Sequence, residues 1–115
     1  GLVDVEHRLT VLNNERTLAL DRTWFAYDCQ IFDQLKSRSA TLRNPSTGRG
    51  VRMDFEGFPY FILWTSANGG PFLAMEPWTG ISTCTDEDDR LERKRGVLFL
   101  NPGEERTHAF TITLL

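Results

Sequence analysis

At 115 residues the chain is long enough for one domain, or for a piece of a larger one. Hydrophobic residues make up 40% and charged residues 25%, so a real core is possible, while a net charge of −3 gives no electrostatic footing for nucleic acid or an anionic membrane. Cys29 and Cys84 have no C-x-x-C spacing and read as free thiols of a reducing compartment, and no apolar run reaches the roughly 18 residues that a membrane-spanning helix needs.

Gly1 to Glu6 lack the basic start and apolar stretch of a signal peptide, which with the free thiols predicts a cytoplasmic protein. The chain opens inside a strand-like pattern, as though cut from something longer. His7, Leu9 and Val11 alternate with Arg8, Thr10 and Leu12 in a loose period of two, and Asn13-Asn14-Glu15 is turn-like. Residues 24–27 and 29–32 flank Asp28 and read as a strand or an irregular crossing. Ser39 to Arg43 reads as a strand that runs into the turn Asn44-Pro45-Ser46-Thr47-Gly48.

The next strand has the clearest pattern. Val51, Met53 and Phe55 face one way and Arg52, Asp54 and Glu56 the other, as in a half-buried antiparallel strand. After Gly57-Phe58-Pro59, residues Tyr60 to Trp64 are almost all apolar and bulky, which predicts a strand covered on both faces. Asn68-Gly69-Gly70-Pro71 turns the chain into a short strand over 72–76 that Pro77 is expected to stop. Residues 83–95, with Asp86, Glu87, Asp88, Asp89 and Glu92 followed by Arg93-Lys94-Arg95, read as a solvated loop with one helical turn. A strand over 97–100, the turn Asn101-Pro102-Gly103 and a closing amphipathic strand through His108, Phe110, Ile112 and Leu114 complete the chain. No helix of ten residues is expected. The predicted class is all-β, an antiparallel β-sandwich.

The most informative stretch is Phe72-Leu73-Ala74-Met75-Glu76-Pro77-Trp78-Thr79-Gly80. A carboxylate with apolar neighbours suits a general base, and a nearby indole offers an apolar face to the C–H side of a sugar ring. On pattern alone the plainer reading is the stronger one, with Glu76 the solvent-facing member of an edge strand and Trp78 a core residue.

The order of pieces changes the weighing. Asp28, Ser46-Thr47-Gly48-Arg49-Gly50, the run FPYFILWTSANGGPFLAMEPW over 58–78, Lys94, Gly96 and LNPGEE over 100–105 follow one another along the chain. From Asp28 to the C-terminus this resembles the aldose 1-epimerase (galactose mutarotase-like) superfamily, in the branch related to the X protein of lactose operons. The resemblance implies that residues 1–115 form the C-terminal portion of a single two-sheet supersandwich domain more than twice this length. It implies an isomerase that interconverts the α and β anomers of an aldose by acid/base ring opening, with no metal or organic cofactor. Glu76 matches the base, and Asp28 matches a sugar-hydroxyl-binding aspartate, although by itself it also reads as a capping or turn carboxylate. Trp78 is expected to line the site. Trp24 and Trp64 are expected mainly in the core, with Trp64 kept beside Asp28 and Trp78 as a candidate substrate-binding residue.

Two departures bear on that expectation. The family's general acid lies in a Gly-Gly-His-Pro-like motif upstream of the binding aspartate, and this chain has none; His7 and His108 read as ordinary strand residues. The galactose-specific enzymes carry a glutamine in the strand before the base, where this chain has Phe61-Ile62. The expected partners are therefore a monosaccharide, free or phosphorylated, and the missing N-terminal portion of the same protein. Arg49, Arg52 and Lys94 are the cations available to a phosphate. Asp86 to Asp89 lack the spacing of a calcium loop, and Arg93 to Arg95 read as neutralising them. The alternative from another class is a carbohydrate-binding or purely structural β-sandwich without turnover.

Overall fold

A computed structural model describes residues 1–115. Six strands form in chain order: β1 Gln30–Phe32, β2 Ser39–Arg43, β3 Gly50–Asp54, β4 Tyr60–Trp64, β5 Ala74–Trp78 and β6 Thr111–Leu114. The only helical pieces are single 3-10 turns at Arg22–Phe25 and Leu91–Arg93. The protein is all-β, with two three-stranded sheets in the orders β1-β4-β5 and β2-β3-β6, every pairing antiparallel.

Local chemistry sets the β2–β3 hairpin. The Asn44 side chain accepts from the backbone N–H of Ser46 (2.9 Å) and Thr47 (3.2 Å), an Asx turn, and Gly48 takes the positive φ of 73° needed to bring Arg49 back. The Asn44 N–H then donates to the Arg49 carbonyl at 2.9 Å, and Leu42 pairs with Val51 and Ala40 with Met53. Strand alternation places Ala40 and Met53 on the face that turns toward the second sheet.

The core lies where that face meets β4. Met53, Phe55, Phe58 and Phe61 form a buried cluster against which Leu35, Ala40, Leu63 and Met75 pack, so residues from both sheets contribute. Phe55 and Phe61 stack with ring centroids 4.5 Å apart, tying the end of β3 to β4. A second tie joins the N-terminal segment to the loop after β5. Val3 and Cys84 form a parallel bridge, with the Val3 N–H on the Thr83 carbonyl (2.8 Å) and the Thr85 N–H on the Val3 carbonyl (2.9 Å).

This core is small for the chain. Accessible surface totals 8962 Å², against about 6,400 Å² for a compact monomer of this mass. The radius of gyration is 15.9 Å, where a compact domain of this length has about 13 Å. Near the C-terminus, Leu98, Phe99, Leu100, Phe110, Ile112, Leu114 and Leu115 are exposed.

Three local expectations are corrected, and the irregular crossing expected before β1 takes a definite form. Residues 7–11 and 97–100 are irregular, because no strand lies beside them to complete a ladder. Residues 22–25 form a 3-10 turn capped by Asp21, whose carboxylate accepts from the Thr23 N–H at 2.8 Å. Pro77 does not stop its strand. β5 is the outer strand of its sheet, where a missing N–H is tolerated, and it runs on to Trp78 with Pro77 opposite Phe61.

Candidate functional site

The β1-β4-β5 sheet has two unlike faces. Phe61, Leu63 and Met75 point into the core shared with β2 and β3. Alternation sends Tyr60, Ile62 and Trp64 of β4, Ile31 of β1, and Ala74, Glu76 and Trp78 of β5 to the opposite face. Glu76 is the third of five residues in β5, so it sits mid-strand rather than at the strand end. Register places it across from Ile62, which is 0% exposed and pairs on its other side with Ile31. The carboxylate is half-buried beside these apolar side chains.

Trp78 shares this face two residues on. Its indole Nε1–H donates to Glu76 Oε2 at 2.9 Å. The indole stands across from Tyr60, and the Tyr60 ring edge approaches Gly96 so closely that a β-carbon added there would lie 3.5 Å from it. The same added atom would lie 3.1 Å from both the Gly80 Cα and the Thr79 carbonyl oxygen, so the loop after β5 closes on itself at Gly80 and Gly96 beside this end of the face.

That loop is held by a residue the sequence left among the solvated acids. Glu87 accepts from the backbone N–H of Arg95 (3.0 Å) and of Cys84 (3.2 Å), and from Lys94 Nζ (3.3 Å). The Arg95 N–H foremost, then the Cys84 N–H and Lys94, hold its carboxyl below the ordinary glutamate value against the opposing effect of burial. The other acids of the run meet the basic cluster as expected, with Arg95 on Asp86 (2.8 Å) and Arg93 on Asp88 (2.7 Å). Lys94 is taken up by Glu87 and by the Thr83 hydroxyl (3.4 Å), while Arg52 is paired with Asp54.

Asp28 is exposed at the entry to β1, and its Oδ1 accepts from the Cys29 N–H at 2.8 Å. Burial, then the charge of Asp28, then that of Glu76, push the half-buried Cys29 thiol above its ordinary pKa. No hydrogen bond joins Asp28 to Glu76. Trp64 is half-buried on the Glu76 face and packs on Phe72 with centroids 5.4 Å apart; Trp24 is also half-buried.

The histidines lie elsewhere. His7 Nδ1 meets Asp4 Oδ2 at 2.6 Å in an exposed pair, and the His108 ring packs on Phe58, 5.7 Å away, on the core side of the sheets. A further hollow at the β4–β5 end, about 460 Å³ and lined by Phe25, Thr65, Phe72 and Arg22, is separate from the Glu76–Trp78 pair.

Fold and site together define an all-β protein with a half-buried, indole-bound carboxylate on one sheet face. Along all 115 residues the chain is 43% identical to the chromosomal protein LacX of Lactococcus lactis subsp. lactis, and equally so to the plasmid-encoded protein LacX of the same organism. The chain is homologous to these LacX proteins over its whole length, and it spans 38% of the length of each. No protein-family model matches the chain, and no solved structure matches it. No helix is long and apolar enough to cross a membrane.

Proposed function

We propose that this chain is the base-bearing portion of a cofactor-free sugar 1-epimerase of the aldose 1-epimerase class, within a larger LacX-like supersandwich. The observation that carries the reading is the Glu76 carboxylate, half-buried beside Ile62 and held by the Trp78 indole. Glu76 removes the proton from the anomeric hydroxyl of an aldose. The O1–H electron pair becomes the C1=O π bond, the C1–O5 bond breaks, and O5 takes a proton from a general acid. Rotation about C1–C2 and closure on the other carbonyl face give the opposite anomer. Both steps are proton transfers, which side chains perform unaided. Asp28 binds a sugar hydroxyl, Trp64 and Trp78 border the ring, and the acid comes from outside these residues.

A second reading, a carbohydrate-binding or structural sandwich without turnover, is favoured by one observation. His7 and His108, the only histidines, are engaged with Asp4 and Phe58. Polarimetry separates the two. The assay compares this chain alone with Lactococcus LacX carrying the chain in place of the segment it matches, using fresh α-anomers of glucose and galactose and their 6-phosphates. Acceleration by the chimera with at least one sugar supports the epimerase. Sugar binding at the buffer rate of mutarotation identifies the binding protein and overturns the epimerase reading.

A further inference from the structure

Glu76 and Trp78 are neighbours of a particular kind. They are two residues apart on an extended strand, so both point to one face with Cα atoms about 6.6 Å apart. Pro77 lies between them with its φ fixed by the ring, opposite the buried Phe61 on the core face, which stiffens the backbone linking the two side chains. Trp78 is in turn the register partner of Tyr60 on β4, and it leads directly into the loop that closes at Gly80 and Gly96. The donor is thus already seated on the carboxylate.

We propose that Trp78 is the positioning residue of this carboxylate: its N–H occupies Glu76 Oε2 and assigns the proton-accepting role to Oε1. The inference rests on the reading of Glu76 as the base. Its chemical core is that an indole N–H donates and never accepts. A proton lodged on Oε2 would make that oxygen a poorer acceptor and weaken the 2.9 Å bond, whereas a proton on Oε1 leaves the bond intact. The proton leaving the sugar O1–H therefore forms its new bond to Oε1, and Oε2 keeps its partner throughout. Held at one oxygen, the carboxylate also loses the rotation about its terminal torsion that would carry Oε1 away from the anomeric hydroxyl. Trp78 is then more than an apolar wall for the sugar ring, because its polar atom orients the base.

Two measurements test this. In the first, this chain is labelled with ¹⁵N-tryptophan and its three indole N–H signals are assigned with single Trp→Phe variants. Glu76→Gln should move the Trp78 signal and leave those of Trp24 and Trp64 in place; a Trp78 signal indifferent to Glu76→Gln overturns the proposal. In the second, the LacX chimera receives β-(3-benzothienyl)alanine at position 78, which keeps the bicyclic shape and replaces N–H by sulfur. A positioning role predicts kcat lower by about 10- to 100-fold, the range for losing a hydrogen bond to a charged group, with KM unchanged. A purely stacking role predicts unchanged kinetics, and that result overturns the proposal. Full activity of Glu76→Gln, with the Trp78 signal still responding to it, would remove the base reading while leaving the hydrogen bond established, so the two failures are distinguishable.

Discussion

Met53 and Ile112 are register partners on β3 and β6 and share one sheet face, yet Met53 is 7% exposed and Ile112 is 55% exposed. Leu114, opposite Val51 on the same face, is 81% exposed. The core face continues past the point where side chains from the other sheet cover it. β6 is also an outer strand, so its free backbone edge lies beside the uncovered apolar surface. The isolated chain is expected to self-associate through this region. Light scattering after size exclusion should give a mass that rises with concentration, and Ile112→Lys with Leu114→Lys should lower it toward one chain. Equal masses for both proteins at every concentration would contradict this.

The two sheets depend on the Phe55–Phe61 stack. Each ring is almost fully buried, and their 4.5 Å contact joins β3 to β4. Phe55→Ala should cost about 3–5 kcal/mol in urea unfolding, the usual loss for a buried aromatic. That is a large share of the roughly 5–15 kcal/mol available to a small domain, so loss of the cooperative transition altogether also fits. A midpoint unchanged from wild type would mean that the sheets are joined elsewhere.

The acidic loop should impose a pH dependence on stability. Glu87 has its pKa lowered in the folded state from the ordinary glutamate value of 4.5 by the Arg95 and Cys84 N–H groups and Lys94. Its ionised form is therefore favoured by folding. The stabilisation is fully present above about 4.5 and fades as the pH falls through the lower folded-state value. Glu87→Gln should be less stable than wild type at pH 7, with the gap narrowing below about pH 4.5. Asp21 and Glu104 are also lowered by hydrogen bonds, but both proteins keep them, so the difference between the two isolates Glu87. A gap constant from pH 7 to 3 would show that the carboxylate charge is not what holds the loop.

Legibility followed the number of independent signals on each segment. Ser39 to Arg43 and Tyr60 to Trp64 have the bounds expected of them, because alternation or bulk agrees with turn chemistry at their ends. His7, Leu9 and Val11 alternate too, but pattern alone does not make a strand without a neighbour to pair with. Pro77 misled because the rule that proline ends a ladder applies to inner strands, and only the sheet order reveals that β5 is an outer one. At the site, Glu76 stood out by its apolar surroundings. The bond from Trp78 was implicit in their spacing of two, since residues two apart on a strand share a face. Glu87 gave no such signal, as one carboxylate among several near Arg93, Lys94 and Arg95.

If Glu76 is the base of a sugar epimerase, its loss must show in the rate of anomer exchange. The approach of a fresh α-anomer to equilibrium should be followed by polarimetry with the LacX chimera, the chimera bearing Glu76→Gln, and this chain alone. A general base and a general acid each contribute about 10²–10⁴-fold, so removal of either should take the rate close to that of buffer. The chimera should accelerate the exchange, and the other two should sit near the buffer rate. Undiminished acceleration by the Glu76→Gln chimera would contradict the assignment of the base, and rapid turnover by the 115-residue chain would place the acid within it, at His7 or His108.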